Sequence, residues 1–388
     1  MIDGSDKHLK FLVFIMTLFV FVSNCSHGIP RLDSHGEPQT GYTYQLPEKV
    51  DDGWEISSLE KEGIEPVKIH ELMLAILHQK YKNIHSVLLV KNGKLMLEEY
   101  FHGYNLEKRH QTRSAMKSIG SVLTGIAIDQ GFISSEDVKV YPYFKSYEPE
   151  EKWDARARDA TLKSLLTMTS GYGCDDAKSK YACERNMYKS TDHVEYALNL
   201  PMAYPPGEHW AYNSASLWLV GEIISKESDM SIPDFAEQYM FGPLGITDVQ
   251  WWHSPKGRAM LAGNAEMRPR DMAKFGQMML DKGSWKDTQI VSQEWIERST
   301  REHVHNRGGY WGYGYLWWVG STVIQGREVH TFLASGNGGQ KIYVFPEFDL
   351  VAVFTGGNYN SKLSSQPDQM LINYILPANN TPVADANC

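Results

Sequence analysis

An α+β fold, with an antiparallel sheet lobe flanked by helices and carrying an inserted all-helical lobe, is what this chain predicts. Three observations carry that reading. Strand-like runs lie at both ends of the folded part, helical periods fill the middle, and 388 residues of 42% apolar composition suffice for a large core. The early strands, 85–90 and 95–101, flank Asn92-Gly93, the strongest short hairpin signal. The late ones fall at 314–319, 329–333, 340–345 and 350–355. From about 135 to 300 the pattern is helical and loop-rich, so the functional cleft belongs between the two lobes.

Taken in order, residues 11–22 are apolar apart from Thr17, follow Lys7 and Lys10, and precede Ser23-Asn24-Cys25. The run is short for a membrane span and right for the core of a signal peptide, placed here at 1–25. Val22-Ser23-Asn24-Cys25 also resembles a lipoprotein cleavage box, with Asn24 where a small residue is usual. The expectation is export to the periplasm or outer surface, with lipidation at Cys25 as a possible membrane anchor. Residues 26–53 read as a linker, 54–376 as the folded domain with the helical lobe at about 135–300, and 377–388 as a tail.

Ser57 and Glu60 form the pattern of a capping box opening a surface helix. Further helices are expected at 68–80, 161–171, 231–241, 270–280 and 366–375. Cys174 and Cys183, nine apart in a polar stretch, either pair in an oxidising compartment or stay as free thiols.

The helix that organises the rest follows Thr112-Arg113-Ser114. Its apolar residues fall at Met116, Ile119, Val122, Leu123, Ile126 and Ala127, and Gly131 stands where a C-terminal cap belongs. Ser114 therefore sits at the start of a mostly buried helix, with Lys117 one turn on along the same face. A serine hydroxyl attacks a carbonyl only when something takes its proton, and a lysine kept from water can do so. The helix N-terminus favours the negative charge that develops. Ser-x-x-Lys arises by chance roughly once in a few hundred residues, and Ser58-Leu59-Glu60-Lys61 is a second copy. The remaining pattern distinguishes them.

A nucleophile needs a second proton-handling group and an oxyanion hole. Tyr212 follows the loop Pro205-Pro206-Gly207 and precedes a helix beginning about Ser214, so its phenol can project into a cleft and serve as base and acid. A rim tyrosine in water is the plain alternative. Ala334-Ser335-Gly336-Asn337-Gly338-Gly339 ends an apolar strand, where glycines allow close backbone approach. A simple glycine turn would look the same.

Together these pieces resemble the serine β-lactamase-like superfamily. The elements are Ser114-x-x-Lys117, Leu165-Leu166-Thr167-Met168-Thr169-Ser170-Gly171, Pro206-Gly207 ahead of Tyr212-Asn213-Ser214, Pro243-Leu244-Gly245, and Arg270-Asp271-Met272-Ala273-Lys274-Phe275-Gly276, followed by the late glycine strand. The branch most similar holds class C β-lactamases, carboxylesterases and 6-aminohexanoate-dimer hydrolases, and the likeness spans about 54 to 375. It implies a β-lactamase/penicillin-binding-protein-like fold. It also implies Ser114 as nucleophile, Lys117 as its base and Tyr212 as shuttle to the leaving group. The N–H of Ser114 would form half of the oxyanion hole. The N–H of Asn337 would form the other half if 334–336 occupies the Lys-Thr-Gly position, which places Ser335 and Gly336 beside substrate; another register would put the donor one to three residues later. Tyr172 either lines the pocket or is a loop tyrosine.

Two departures matter. The family pattern Tyr-x-Asn has Ser214 third, with Asn213 one place early, and Ala334 replaces the Lys-Thr-Gly lysine. Both missing groups engage β-lactam substrates, so an ester or linear amide hydrolase acting on a small molecule or short peptide is the expectation. A β-lactamase or D-alanyl-D-alanine carboxypeptidase is one alternative, and a catalytically silent binding or sensor module another. A net charge of −9 without a basic stripe argues against nucleic acid. There is no Gly-x-Ser-x-Gly elbow, His-Glu-x-x-His, paired Cys-x-x-Cys or Gly-rich phosphate loop, so no cofactor or metal is expected. His303-Val304-His305 reads as a solvated loop rather than a metal site.

Overall fold

The structure, a computed structural model, describes residues 39–147, 153–176, 178, 183–305, 311–324 and 326–379. The expected signal peptide, Cys25 and most of the tail lie outside the described residues.

One nine-stranded sheet forms the backbone of the molecule. Its strands are β1 (Glu55–Ile56), β2 (Ile84–Lys91), β3 (Lys94–Tyr100), β4 (Val304–His305), β5 (Gly312–Tyr313), β6 (Trp318–Ile324), β7 (Arg327–Gly336), β8 (Gln340–Phe345) and β9 (Leu350–Gly356). They lie in the order β1-β3-β2-β9-β8-β7-β6-β5-β4. All pairs are antiparallel except β1 with β3. The β2–β3 hairpin turns at Asn92-Gly93, both with positive φ, as the sequence predicts.

The central strands are apolar on both sides because both faces are covered. Leu88, Val90, Ala334, Ile342, Val351 and Val353 join the core under the helical lobe. Val87, Leu89, Leu333, Tyr343, Ala352 and Phe354 face a second core. That second core is closed by α1 (Pro66–Leu77) and by the C-terminal helical stretch from Gln366 to Ala378.

The helices bearing on the site are α2 (Met116–Asp129), α3 (Leu162–Leu166), α4 (Ser216–Ser228), α5 (Pro269–Leu280) and α6 (Gln293–Thr300). Helix α2 is buried from Met116 to Ala127, packed by α4 on one side and by Trp295 of α6 on the other. A Cβ on Gly125 would lie 2.3 Å from the Trp295 ring, so the glycine is what lets the two helices meet.

Several expectations change. Helix α5, counted with the inserted lobe, lies directly on the sheet, and Gly276 admits Val351 and Ile342 against it. Ser57 and Glu60 open no helix: residues 59–63 are turns, and the Ser57 hydroxyl donates to Glu62 at 2.6 Å. That removes the second Ser-x-x-Lys from consideration. Helix α3 ends at Leu166 rather than at Gly171, because Met168 takes a left-handed φ.

The described part of the expected linker, 39–53, has no helix or strand, yet it is fastened down. Tyr42 is buried with its hydroxyl on Glu99. The buried Arg270 binds Glu98 through two nitrogens at 2.6 Å each, Asp52 at 2.9 Å and the Glu48 carbonyl at 2.6 Å. Such planar pairing offsets the cost of burying a guanidinium this deep.

Candidate active site

Ser114 stands in the tight turn Arg113–Ala115 that leads straight into α2. The turn is held from outside: Thr112 donates through N and Oγ1 to the Ala265 carbonyl, at 2.8 and 2.9 Å. Arg113 adopts φ +49°, a conformation costly for a side-chain-bearing residue. Its guanidinium lies over the Tyr359 ring and donates to Asn264. Ser114 itself is half-buried.

One turn on, Lys117 is 1% exposed. Its Nζ makes three contacts, with Ser114 Oγ at 3.2 Å, Ser214 Oγ at 3.2 Å and the Ala262 carbonyl at 2.6 Å. It also lies 5.0 Å from the centre of the Tyr212 ring. Ser114, Lys117 and Tyr212 are thus brought together from two segments nearly a hundred residues apart.

The bed for Tyr212 gives the Leu165–Gly171 and Pro206-Gly207 motifs a structural role. Ala211 N donates to Met168 O, Gly207 N to Thr169 O and Ala203 N to Gly171 O. Gly171, at φ +86°, would carry a Cβ 2.4 Å from the Tyr204 carbonyl. The Leu-Leu-Thr-Met-Thr-Ser-Gly stretch is therefore a platform for the loop bearing Tyr212. Asn213 points inward, fully buried: its Oδ1 accepts from the amide and hydroxyl of Ser216 at the head of α4, while Nδ2 reaches Ser170. Ser214 takes the place beside the lysine. The exchange of Asn and Ser in the Tyr-x-Asn pattern is thereby accounted for.

Asp176 ties this segment to its neighbour. Its carboxylate accepts from Ser214 N at 2.7 Å and from Cys183 and Glu184 N at 3.0 Å each, and its own N–H donates to Tyr212 O. Cys174 and Cys183 are disulfide-bonded, their Cα atoms 5.6 Å apart, so the free-thiol alternative does not hold.

The end of β7 reaches the same place. Gly336 lies so close to the nucleophile turn that a Cβ would stand 2.3 Å from the Thr112 carbonyl. Strand β6 pairs with β7 only from Trp318–Leu333 outward, leaving the run from Ala334 to Gly336 without a neighbour strand on that side. Ser335, expected at the substrate, is corrected by the period of two along the strand. Its hydroxyl sits on the face away from the helical lobe and accepts from Lys341 at 2.9 Å, leaving only its main chain for the cleft. Burial lowers the affinity of Lys341 for its proton. The Asn337 side chain is clamped to Asn360 in both directions, at 2.7 and 2.8 Å, so its amide shapes the turn.

Tyr172 is buried and hydrogen-bonded to Tyr141, and burial pushes its phenol well above the usual range. It lines a cavity of about 310 Å³ with Asp175, Lys178, Tyr204, His209 and Ala211, which includes neither Ser114 nor Lys117. His303 stacks on Tyr315 and contacts the Arg298 carbonyl, and His305 pairs with Glu302. Among the described residues no group of His, Cys, Asp or Glu side chains could hold a metal. The motifs Pro243-Leu244-Gly245 and Arg270–Gly276 meet away from the cleft, where buried Lys274 donates to the Gly245 carbonyl at 3.0 Å; they hold the fold together. Sequence reasoning missed Ala262 and Asp176 because neither lies in a recognisable pattern.

The Beta-lactamase family model matches residues 85–369. Over 305 residues the chain is 25% identical to the 6-aminohexanoate-dimer hydrolase of Paenarthrobacter ureafaciens, covering 73% of each. A shorter match, 27% over 146 residues, links 32% of this chain with 36% of the lovastatin esterase of Penicillium rubens. The fold superposes on an octameric penicillin-binding protein homologue from Pyrococcus abyssi with a TM-score of 0.61 at 19% identity, over 81% of this chain and 78% of that one.

Proposed function

The chain belongs to the Beta-lactamase family, and on that premise we propose that it is a serine hydrolase cleaving ester or linear amide bonds through an acyl-enzyme on Ser114. The observation that carries the proposal is Lys117 Nζ, 3.2 Å from Ser114 Oγ and buried. In its neutral form this amine has two N–H groups and one lone pair. The carbonyl of Ala262 and the hydroxyl of Ser214 take the two donors. The lone pair is left for the Ser114 proton, which it removes as Oγ attacks the substrate carbonyl.

Negative charge then develops on the carbonyl oxygen. The N–H of Ser114 at the head of α2 and the N–H of Asn337 beyond β7 are the donors assigned to it. The phenol of Tyr212 relays the proton to the departing alcohol or amine, and water releases the acyl group by the reverse sequence. Ala334 at the Lys-Thr-Gly position offers no cation for a substrate carboxylate, which weighs against β-lactam or D-alanyl-D-alanine turnover. The likeness to an amide hydrolase and an esterase supports the same choice. Export to an oxidising compartment, with or without a lipid on Cys25, remains part of the proposal; the Cys174–Cys183 disulfide supports it.

The test is intact-mass analysis after incubation with a fluorophosphonate, a p-nitrophenyl ester and benzylpenicillin, beside Ser114→Ala. An adduct on Ser114 that the variant lacks, with ester turnover and no lasting penicillin adduct, is expected. A stable penicillin adduct would favour the penicillin-binding alternative, and hydrolysis unchanged in Ser114→Ala would sink the mechanism.

A further inference from the structure

Beside the phenol assigned to the leaving group stands a wall of aromatic rings. Trp318, the first residue of β6, stacks on Tyr212 with centroids 6.0 Å apart and planes 26° from parallel. Trp210 meets Trp318 at 6.0 Å and Tyr313 at 5.8 Å, both edge-to-face, and Tyr313 meets Trp318 edge-to-face at 5.1 Å. Tyr313 is buried beneath, whereas Trp210, Tyr212 and Trp318 each keep part of their surface open. Trp318 sits where β6 stops pairing with β7, at the end of the free edge that runs from Ala334 to Gly336. The wall is thus placed between the nucleophile's lysine, under the Tyr212 ring, and the open end of the sheet.

Among the described residues positive charge is missing from this wall, and the one acidic group on its segments is the exposed Glu208. Segments 204–214 and 311–318 contain no lysine or arginine. Of the cations on the other cleft-forming segments, Arg113 is spent on Tyr359 and Asn264, Lys178 pairs with Asp175 at 3.1 Å, and Lys341 lies on the opposite face of the sheet with Ser335. Lys117 is enclosed by its three contacts. Among the described residues, a group entering beside Tyr212 meets ring faces and edges, and a carboxylate there would lose its water without gaining a cation. Indole and phenol faces instead reward an apolar ring or chain, through burial and offset or edge-to-face stacking.

We propose that this is the leaving-group subsite, with Trp318 and Trp210 as its specificity-determining residues, and that the preferred substrates carry an uncharged aryl or medium-chain alkyl alcohol or amine. The inference rests on the reading of Ser114 as nucleophile and adds to it which side of the scissile bond is selected, and for what chemistry.

The experiment holds the acyl group constant as acetate and varies the alcohol through ethanol, hexanol, benzyl alcohol and glycolate. A parallel series of ethyl esters varies the acyl group from acetyl to phenylacetyl. Wild-type kcat/KM is expected to rise at least tenfold from ethyl to benzyl acetate and to fall for the glycolate ester. In Trp318→Ala the benzyl-to-ethyl ratio is expected to drop to within about twofold of unity, while Trp318→Phe, which keeps a ring face, retains most of it. Using a ratio removes any general loss of folded enzyme from the readout. A flat alcohol series, or a preference confined to the acyl series, or a ratio untouched in Trp318→Ala, overturns the proposal. Fluorophosphonate labelling of the wild type is read separately: labelling with a flat alcohol series refutes the subsite alone, whereas no labelling refutes the nucleophile.

Discussion

Replacing Asp176 by alanine tests whether the segment carrying Tyr212 and Ser214 is held in place from outside itself. The carboxylate accepts three main-chain N–H groups, of which Ser214 N at 2.7 Å belongs to a residue only 2% exposed. Water cannot easily replace the lost acceptor there, and a buried N–H left unpaired costs about 1–3 kcal/mol. The N–H groups of Cys183 and Glu184 open a one-turn helix, Glu184–Met187, nearer the surface. Glu184 is partly exposed and can be rehydrated, whereas Cys183 is 4% exposed and loses its partner much as Ser214 does, so the expected destabilisation is about 2–6 kcal/mol in all. A kinetic effect should accompany that loss. Ser214 Oγ is 3.2 Å from Lys117 Nζ, and a displacement of about 1 Å in such a constellation costs on the order of a hundredfold in rate. Urea unfolding gives the first quantity. The value of kcat for a p-nitrophenyl ester, measured well below the unfolding temperature, gives the second. Asp176→Asn, which keeps the shape and one acceptor, should fall between. A destabilised Asp176→Ala that still turns over at the wild-type kcat would refute the positioning argument, since the segment would then hold itself.

Acid should weaken the fold through a histidine pair close to the nucleophile turn. His85 Nδ1 contacts His110 Nε2 at 2.8 Å, and burial depresses them to about 3 and about 4 respectively, from 6.5. Between pH 6.5 and those values the unfolded chain takes up protons that the folded one refuses, so stability falls as pH drops through that window. The loss is on the order of 3 kcal/mol for His110 alone. Urea midpoints between pH 7 and 4.5 should show a shallower slope in His110→Gln, and identical slopes would contradict the assignment. Gly336→Ala drives a Cβ to 2.3 Å from the Thr112 carbonyl, so the strand must back away from Ser114. Labelling by a fluorophosphonate should slow at least tenfold while circular dichroism stays native, and an unchanged labelling rate would show that β7 takes no part. Gly125→Ala gains about 1 kcal/mol of helix propensity but overpacks Trp295, at a cost of about 1–3 kcal/mol. Thermal unfolding should report no gain, and a clear rise in Tm would mean that α2 and α6 adjust freely.

Local signals located most of the fold. The Asn92-Gly93 hairpin, the strand Gln340–Phe345 and the helix Pro269–Leu280 each announce themselves through turn chemistry or period, and appear where expected. The same local reasoning failed at Ser57 and Glu60, where a hydroxyl that could cap a helix is taken instead by Glu62 from five residues on. It failed again for residues 39–53, whose composition is that of a linker but whose acidic and carbonyl groups are claimed by Arg270. In both places a competing partner, five residues on in one case and more than two hundred in the other, outweighed a local preference of a few tenths to one kcal/mol.

Periodicity and turn chemistry by themselves determined that the chain is α+β, that Ser114 and Lys117 share one face of a buried helix, and that a glycine strand returns late. Those properties depend on residues within a turn or two of one another. Only the tertiary structure decided what surrounds the lysine. Ala262 offers a carbonyl rather than a side chain, Ser214 displaces Asn213, and Ser335 faces away. Asp176 and the ring of Trp318 arrive from separate segments. Which main-chain groups are left free to meet a neighbour, and which face of a strand a given register exposes, follow from packing across the whole sheet, and no short window of residues contains that information.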